Sequence, residues 1–274
     1  MGYLGVIHLR MFRRFATRLR SGLKRVSDVL LLNDYPPPEE ATSLIFTLRS
    51  DSKVVFLGSC FAYSSPHIFL TAAHCIRDSA SFALCVSCAT EDTPDKYLLI
   101  RQVITHPTAD LAVLIAEPSD SDFTPYREAI EVEPGDEVHA YGFSEDTTDS
   151  GPEPLDRHFH GVAQRLLTWD IQRPYSYDAI ELSFGAPPGL SGGPLYKSYL
   201  SPKARTFYLL IGMITGNREA STHLETITEV QEGNQRYIER IHSVTNYGIA
   251  INLATYTKWL TKTCKGTGAI SNSN

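Results

Sequence analysis

The chain has no run of apolar residues long enough to cross a membrane. No uninterrupted apolar stretch in its 274 residues approaches the roughly 18 that a spanning helix needs. Arginines interrupt every apolar segment near the start that could form the core of a secretory signal. The sequence also has no Asn-x-Ser/Thr acceptor for glycosylation. These absences predict a protein that stays in the cytoplasm.

Cysteine is scarce and odd in number, at five residues: Cys60, Cys75, Cys85, Cys88 and Cys264. An odd count without an export signal favours a reducing compartment, in which thiols stay free. Cys85 and Cys88 form a single C-x-x-C pair, and zinc would need a second pair of ligands. Packing within a strand is therefore the favoured interpretation of this pair, and we expect neither a metal nor another cofactor.

Charge is unevenly distributed along the chain. The net charge is −6, yet residues 1–30 carry seven basic side chains and one acid, so the remainder is strongly acidic. An acidic body argues against a broad nucleic-acid surface. The apolar fraction of 42% and the aromatic fraction of 10% are those of an ordinary globular protein.

The basic N-terminal segment has the pattern of an amphipathic helix. Between residues 7 and 32, large apolar side chains recur at spacings of three and four: Phe12, Phe15, Leu19, Leu23, Val26 and Leu30. Three consecutive prolines at 36–38 end the pattern, so residues 1–40 are predicted to be a helix and linker. We favour docking on a regulatory partner or on the rest of the chain. An anionic membrane surface and a transit peptide stay open, and nucleic acid is least favoured.

From residue 41 the pattern changes to short β segments separated by turns. Examples are "TSLIFTL", "HIFLTAA", "LAVLIA" and "YDAIELSF". Many short strands of this kind predict an all-β barrel or sandwich over residues 41–264. "LATYTKWLTKTC" has helical spacing and predicts a closing helix, with residues 265–274 as a flexible tail.

Three stretches carry residues that together suit nucleophilic catalysis. "LTAAHC" holds His74, "HPTADLAVLIA" places Asp110 before an apolar run, and "GLSGGP" holds Ser191. A serine hydroxyl is a poor nucleophile until a base takes its proton, and a histidine can do this near neutral pH. A buried carboxylate can orient that histidine, and glycines let backbone N–H groups approach a developing oxyanion. His106 is a second candidate base, but a surface loop is its favoured location.

The chain resembles the chymotrypsin/trypsin-like serine peptidases, in particular the branch of the Deg/Htr-type and other bacterial trypsin-like proteases. The resemblance covers about residues 42–262 and rests on "GSCFAYSSPHIFLTAAHC", "ADLAVL", "GLSGGPLY", "IGMITG" and "YGIAINL". It implies two six-stranded antiparallel β-barrels with the site in the cleft between them. It also implies His74 as general base and acid, Asp110 as the orienting carboxylate and Ser191 as the nucleophile. The oxyanion hole would be formed by the N–H groups of Gly189 and Ser191.

The same resemblance implies a substrate pocket without charge. Thr215 stands where the family has a small hydroxyl residue beside the buried aspartate. The pocket floor would be Gly185 and Ala186, with Gly216 and Gly248 as walls. Such a pocket favours an apolar or small side chain before the cleaved bond. The long acidic segment between residues 217 and 246 could add a charge from outside.

The chain departs from the digestive enzymes at the residue before the nucleophile. Their acid, which pairs with a new N-terminus made by cleavage, is Leu190 here. Activation by that route is therefore not expected, and Pro187 and Pro188 would order the loop instead. Cys60 and Cys75 stand where the family often bridges the histidine loop. We expect them to lie close together, and oxidation is not favoured.

These observations predict a serine endopeptidase that works through an acyl-enzyme on a polypeptide substrate. The N-terminal segment and the 217–246 segment are not needed for that chemistry, which favours a narrow-specificity regulatory or processing role. The alternative is a peptidase-fold binding module that engages a partner or a membrane surface without turnover.

Overall fold

The computed structural model describes residues 35–48, 54–77, 83–87, 97–118, 123–148, 151–170, 174–200, 206–232 and 235–266. The predicted helix over residues 7–32 lies outside the described residues. Cys88 and residues 267–274 of the predicted tail lie outside them as well.

The first half of the described chain forms a closed six-stranded barrel. Its strands follow the spatial order β1-β2-β3-β6-β5-β4, and β1 pairs with β4 to close the ring. Every pairing is antiparallel. The strands are β1 (Thr42–Leu48), β2 (Val54–Tyr63), β3 (Ser65–Thr71), β4 (Ala83–Ser87), β5 (Tyr97–Thr105) and β6 (Ala112–Ala116).

The second half forms another closed six-stranded barrel, again wholly antiparallel. Its spatial order is β10-β11-β12-β9-β8-β7, with β7 pairing to β10. The strands are β7 (Glu137–Thr148), β8 (Gly151–Trp169), β9 (Tyr177–Leu182), β10 (Pro194–Leu200), β11 (Thr206–Glu232) and β12 (Gln235–Asn252). The prediction of two six-stranded antiparallel barrels is confirmed.

An apolar layer joins the two barrels. Each barrel has its own buried cluster, such as the one around Phe69 and Leu114 in the first and Ile180 and Leu195 in the second. A third cluster draws side chains from both barrels and from the C-terminal helix. Because close-packed apolar side chains resist displacement, loops anchored at this layer hold their positions.

The chain closes with a short 3₁₀ turn, Leu253–Tyr256, followed by the helix Thr257–Gly266. Leu260 and Cys264 are four residues apart, so they share one helical face, and both are buried against the joint cluster. The predicted closing helix is confirmed. Among the described helices, none combines the length and apolar character needed to cross a bilayer.

The acidic segment between residues 217 and 246 continues two strands of the second barrel. β11 and β12 remain paired from Asn217↔Gly248 as far as Glu232↔Gln235. This part of the chain is therefore a two-stranded arm that extends from the barrel. Its base lies beside the predicted substrate pocket.

Candidate active site

His74 and Asp110 meet because β3 and β6 are neighbours in the first barrel. His74 lies in the short helix Ala73–Ile76 after β3, and Asp110 comes just before β6, with Thr71 paired to Ala112. The His74 backbone N–H donates to Asp110 Oδ1 at 2.8 Å, and Nδ1 lies 2.6 Å from Oδ2. Asp110 is completely buried. In the neutral ring, the carboxylate therefore holds the proton on Nδ1 and leaves Nε2 able to accept one.

The environment of His74 favours its charged form. Burial alone would lower the pKa of the imidazole, but the hydrogen bond to Asp110 and the adjacent Cys75 sulfur outweigh burial. The pKa of His74 is therefore raised above its ordinary value. The same attraction would stabilise the imidazolium that forms when His74 removes a proton from a nucleophile.

Ser191 is near this pair, but its hydroxyl is not bonded to the imidazole. Ser191 Oγ donates to the carbonyl of Thr215 at 3.4 Å. Cys75 Sγ lies 3.6 Å from His74 Nε2 and 3.8 Å from the Ser191 carbonyl oxygen, so the base and the serine share a neighbour. A change between staggered χ1 rotamers would redirect the hydroxyl. Such catalytic hydrogen bonds often form only with substrate present.

The cysteines near the site are free thiols. Cys60 and Cys75 are unbridged, as are Cys85 and Cys264 among the described residues. Burial raises the pKa of Cys60 well above its usual value, and the neighbouring Cys75 raises it further. The expected proximity of Cys60 and Cys75 is therefore present without a disulfide.

A hydrogen-bonded cradle under the Ser191 loop was missed from the sequence. The Ser59 backbone N–H donates to the Ser191 carbonyl, and Ser59 Oγ donates to the Gly189 carbonyl, both at 2.9 Å. The same Oγ accepts from the Phe143 N–H at 2.9 Å, and Thr71 Oγ1 donates to the Ser59 carbonyl. One signal in the sequence could have indicated these bonds: Ser59 stands in the mainly apolar stretch of β2. A serine buried in such a strand usually has a specific hydrogen-bond partner.

We expect Ser59→Ala to lower stability by about 1–3 kcal/mol, because it leaves the partly buried Phe143 N–H and Gly189 carbonyl without their Ser59 hydroxyl partner. The reactivity of the Ser191 hydroxyl should fall as well, because the loop that carries Ser191 loses one tether. Urea denaturation and the rate of labelling by a fluorophosphonate check both effects. Ser198→Ala, at an exposed serine, is the control. Equal effects of the two variants would contradict the proposed role of the cradle.

Gly189 has a backbone conformation that favours glycine. Its φ is +92°, and a Cβ there would lie 2.6 Å from the Phe56 ring and 2.9 Å from the Phe143 carbonyl. Within the described part of the chain, the backbone N–H groups of Gly189 and Ser191 donate to no acceptor. Two N–H groups without internal partners, on either side of Leu190, suit the binding of a developing oxyanion.

Leu190 packs in the core of the second barrel, where it is fully buried. An acid at this position would therefore be an unpaired buried charge. The loop is ordered by its own backbone: the Leu190 N–H donates to the Pro187 carbonyl and the Gly193 N–H to the Leu190 carbonyl. The Gly192 N–H donates to Ile214 in β11. These bonds connect the loop directly to the second barrel.

The predicted pocket residues lie at the base of the β11–β12 arm. The Asn217 carboxamide makes two hydrogen bonds to Ala186, one with the Ala186 N–H at 2.6 Å and one with its carbonyl. Gly185 lies against Asn246, and the Gly248 N–H donates to the Phe184 carbonyl at 2.6 Å. Gly216 borders open space. Asn217 and Asn246, which were not among the predicted pocket residues, therefore give this region a polar but uncharged border.

The Thr215 hydroxyl makes two hydrogen bonds within the second barrel. It bonds the Tyr177 hydroxyl at 2.9 Å and the Ile249 carbonyl at 3.1 Å. It makes no hydrogen bond to Asp110 among the described residues. Burial raises the pKa of Tyr177, and the nearby Asp110 raises it further against the effect of the Thr215 bond. Tyr177 therefore lies within electrostatic range of the carboxylate, a neighbour that the sequence analysis did not identify.

His106 has a structural role before Asp110. Its Nδ1 accepts hydrogen bonds from the N–H groups of Thr108 and Ala109 at 3.2 and 2.9 Å. Its ring makes edge contacts with Tyr256 and Trp259, 5.1 and 4.9 Å between centroids. These bonds fix the loop that delivers Asp110, and they occupy the nitrogen that a rival base would need.

The comparisons with known proteins agree with this fold. A family model described as a trypsin-like peptidase domain matches residues 58–200. The HtrA-type protease AlgW with a decapeptide has a TM-score of 0.51 at 16% identity, over 82% of this chain and 65% of its own. The apo MamO protease domain from Magnetospirillum magneticum also has a TM-score of 0.51 at 16% identity, over 80% and 95% of the two chains.

A third structure, the active form of the Rv3671c protease from M. tuberculosis, has a TM-score of 0.50 at 18% identity, over 82% of this chain and 81% of its own. The chain covers 65% of AlgW, which is less than two thirds of the length of that protein. No curated protein sequence matches the chain. At identities this low, the likeness to these structures concerns the fold.

Proposed function

Because the chain belongs to the trypsin-like peptidase family, we propose that it is a serine endopeptidase whose catalytic residues are His74, Asp110 and Ser191. The observation that carries the proposal is the 2.6 Å contact between His74 Nδ1 and the buried Asp110 carboxylate. This contact leaves Nε2 beside the sulfur that also touches Ser191. No metal or cofactor enters the proposed chemistry.

In the proposed reaction, Ser191 Oγ attacks the carbonyl carbon of the peptide bond and passes its proton to His74 Nε2. The carbonyl oxygen becomes an oxyanion, which accepts hydrogen bonds from the Gly189 and Ser191 N–H groups. Removing one such donor from a serine protease costs about 10²–10³ in kcat. His74 then protonates the leaving amine. A water molecule, deprotonated by His74, hydrolyses the acyl-enzyme and restores the Ser191 hydroxyl.

The pocket supports a preference for an apolar or small side chain before the cleaved bond. Gly185, Ala186, Gly216 and Gly248 carry no charge, and the asparagines beside them offer amides only. The AlgW structure contains a decapeptide, and by analogy the substrate here is a polypeptide. The arm that starts at Asn217 could select among substrates, in line with a narrow-specificity regulatory or processing role. Regulation by a partner bound at residues 7–32 stays a prediction.

A fluorophosphonate probe tests the proposal directly, because an activated serine oxygen attacks its phosphorus, forms a phosphonate ester and releases fluoride. We expect the folded wild type to take up one equivalent, at Ser191 by peptide mapping. Ser191→Ala should lose the label, while Ser198→Ala, at an exposed serine, should keep it. A wild type that stays unlabelled, although circular dichroism shows it folded, would contradict the proposal.

One observation favours a second candidate, a binding module without turnover. The Ser191 hydroxyl donates to the Thr215 carbonyl rather than to His74. Under this alternative, fluorescence anisotropy would detect peptide binding, the bound peptide would stay intact, and the probe would not react. If the probe labels Ser191 and the protein cleaves the peptide that it binds, the peptidase is the correct interpretation.

A further inference from the structure

Three potential metal ligands share the outer surface of the second barrel. In the β7–β8 ladder His139 is paired directly with His160. Glu137 precedes His139 by two residues, so alternation along the strand puts both on the same face. Ligand atoms of Glu137, His139 and His160 all lie within 4.8 Å of one another. None of these residues belongs to the proposed catalytic machinery.

The spacing of these atoms suits one small cation. His160 Nε2 is 2.8 Å from Glu137 Oε1, and His139 Nε2 is 4.0 Å from the same oxygen. Ligands at zinc bond lengths of about 2.0–2.1 Å stand roughly 3.3 Å apart in a tetrahedron. The two measured distances lie on either side of that value. Small side-chain rotations would therefore bring the atoms to bonding positions around one ion.

The least exposed of the three ligands is held from a neighbouring strand. The His139 ring stacks on Tyr196 of β10, with centroids 5.5 Å apart and planes inclined by 14°. Ser198 Oγ lies 3.2 Å from His139 Nε2, the nitrogen that would bind the ion, so a metal–ligand bond would replace this hydrogen bond. Glu137 and His160 are exposed, at 70% and 61% of their side chains. The site therefore has one fixed ligand and two that solvent can reach, which leaves an entry path for an ion.

We propose that Glu137, His139 and His160 bind a divalent cation of the zinc class, with water completing the coordination. Two imidazoles and one carboxylate are typical ligands for zinc, whereas magnesium and calcium prefer oxygen ligands alone. The ion would connect β7 to β8 through their side chains. Tyr141 and Phe143, farther along β7, contact the Ser191 loop and Ser59. The bound metal thus stabilises the strand on which the proposed active site rests.

A third histidine on the same face supplies a matched control. His158 is two residues from His160 on β8, and its ring lies 4.6 Å from that of Tyr141. Its Nε2 lies 3.0 Å from Glu39 Oε1, and it is not one of the three ligands. His158→Gln therefore removes an exposed imidazole from the same surface without touching the proposed site.

The test uses the full-length protein without a histidine tag, freed of metal by dialysis against EDTA. Titration with zinc chloride in a calorimeter should give one equivalent bound, and the melting temperature should rise because the ion binds the folded state. Cobalt(II) should give visible absorption typical of a low-coordinate site with nitrogen ligands. His139→Gln and His160→Gln should each weaken zinc binding at least about tenfold, since even losing an outer-shell partner costs about that much.

His158→Gln should bind zinc as the wild type does, and Glu137→Gln should bind it more weakly. Circular dichroism before each titration establishes that every variant is folded. Zinc uptake that persists in both His139→Gln and His160→Gln would overturn the assignment. Equal loss in His158→Gln would overturn it as well, because it would indicate diffuse binding to surface histidines, and so would the absence of any binding by the wild type.

Discussion

The Asp110→Asn variant is expected to fold and to hydrolyse a peptide substrate about 10⁴-fold more slowly than the wild type. The same replacement in the well-characterised serine protease triad leaves the geometry intact and has an effect of this size. Here the asparagine oxygen could still accept the His74 backbone N–H. Its NH₂ group would face Nδ1, however, and would hold the ring proton on Nε2. A base that already carries a proton on Nε2 cannot take one from Ser191.

The dependence of activity on pH tests the role of the His74–Asp110 pair independently. In the proposed mechanism His74 must be neutral to accept a proton, and its pKa is raised by Asp110 and Cys75 against the lowering effect of burial. The rate should therefore rise with pH through a midpoint above about 6.5, the ordinary value for histidine. In Asp110→Asn the raising carboxylate is gone, so the residual activity should rise at a lower pH. Measuring kcat/KM from roughly pH 5 to roughly pH 10 gives both midpoints.

A second aspartate in the same domain serves as the control for this experiment. Asp178 is exposed at the start of β9, so Asp178→Asn should retain wild-type activity and the wild-type pH profile. If Asp110→Asn kept activity within tenfold of the wild type, the buried His74–Asp110 pair would not be part of the catalytic machinery.

The sequence predicted the framework well because the barrel interiors demand a local pattern. The stretch "TSLIFTL" is β1 over its full length, and "LAVLIA" contains β6. These strands have continuous or alternating apolar residues that only burial explains. The proximity of His74 and Asp110 was predicted from the family motifs. In the structure it depends on the pairing of β3 with β6.

The features that sequence analysis missed depend on register between distant strands. Strand β10 starts within "GLSGGPLY", a stretch that the sequence analysis singled out for its serine and glycines and not as a strand. Its position is set by antiparallel pairing with β11, from Pro194↔Met213 to Leu200↔Thr206. His139 faces His160 only because a long β7–β8 ladder sets their register. The Thr215 hydroxyl donates to the Ile249 carbonyl and lies 2.9 Å from the Tyr177 hydroxyl, contacts across strands that no linear pattern records.

Gly192→Ala is expected to lower stability by at least about 3 kcal/mol and to remove peptidase activity. The φ of Gly192 is +89°, and a Cβ there would lie 1.9 Å from the Ser59 carbonyl oxygen and 2.5 Å from Thr71 Oγ1. Strand β2 cannot easily retreat, because the Ser59 N–H is bonded to Ser191 and its carbonyl to Thr71. The Ser191 loop would move instead, and the Gly189 and Ser191 N–H groups of the proposed oxyanion hole would move with it.

Gly135→Ala is the control that separates the steric clash expected in Gly192→Ala from the cost of a positive φ in a residue with a side chain. Gly135 has nearly the same φ, +91°, but no atom lies within 4 Å of the position of an added Cβ. This variant should lose only the roughly 1–2 kcal/mol of a left-handed conformation in an L-residue. It should keep full activity, since the turn before β7 carries no proposed catalytic group. Urea denaturation and titration of active sites with a fluorophosphonate measure both quantities. Equal losses in the two variants would mean that contact with Ser59 does not position the Ser191 loop.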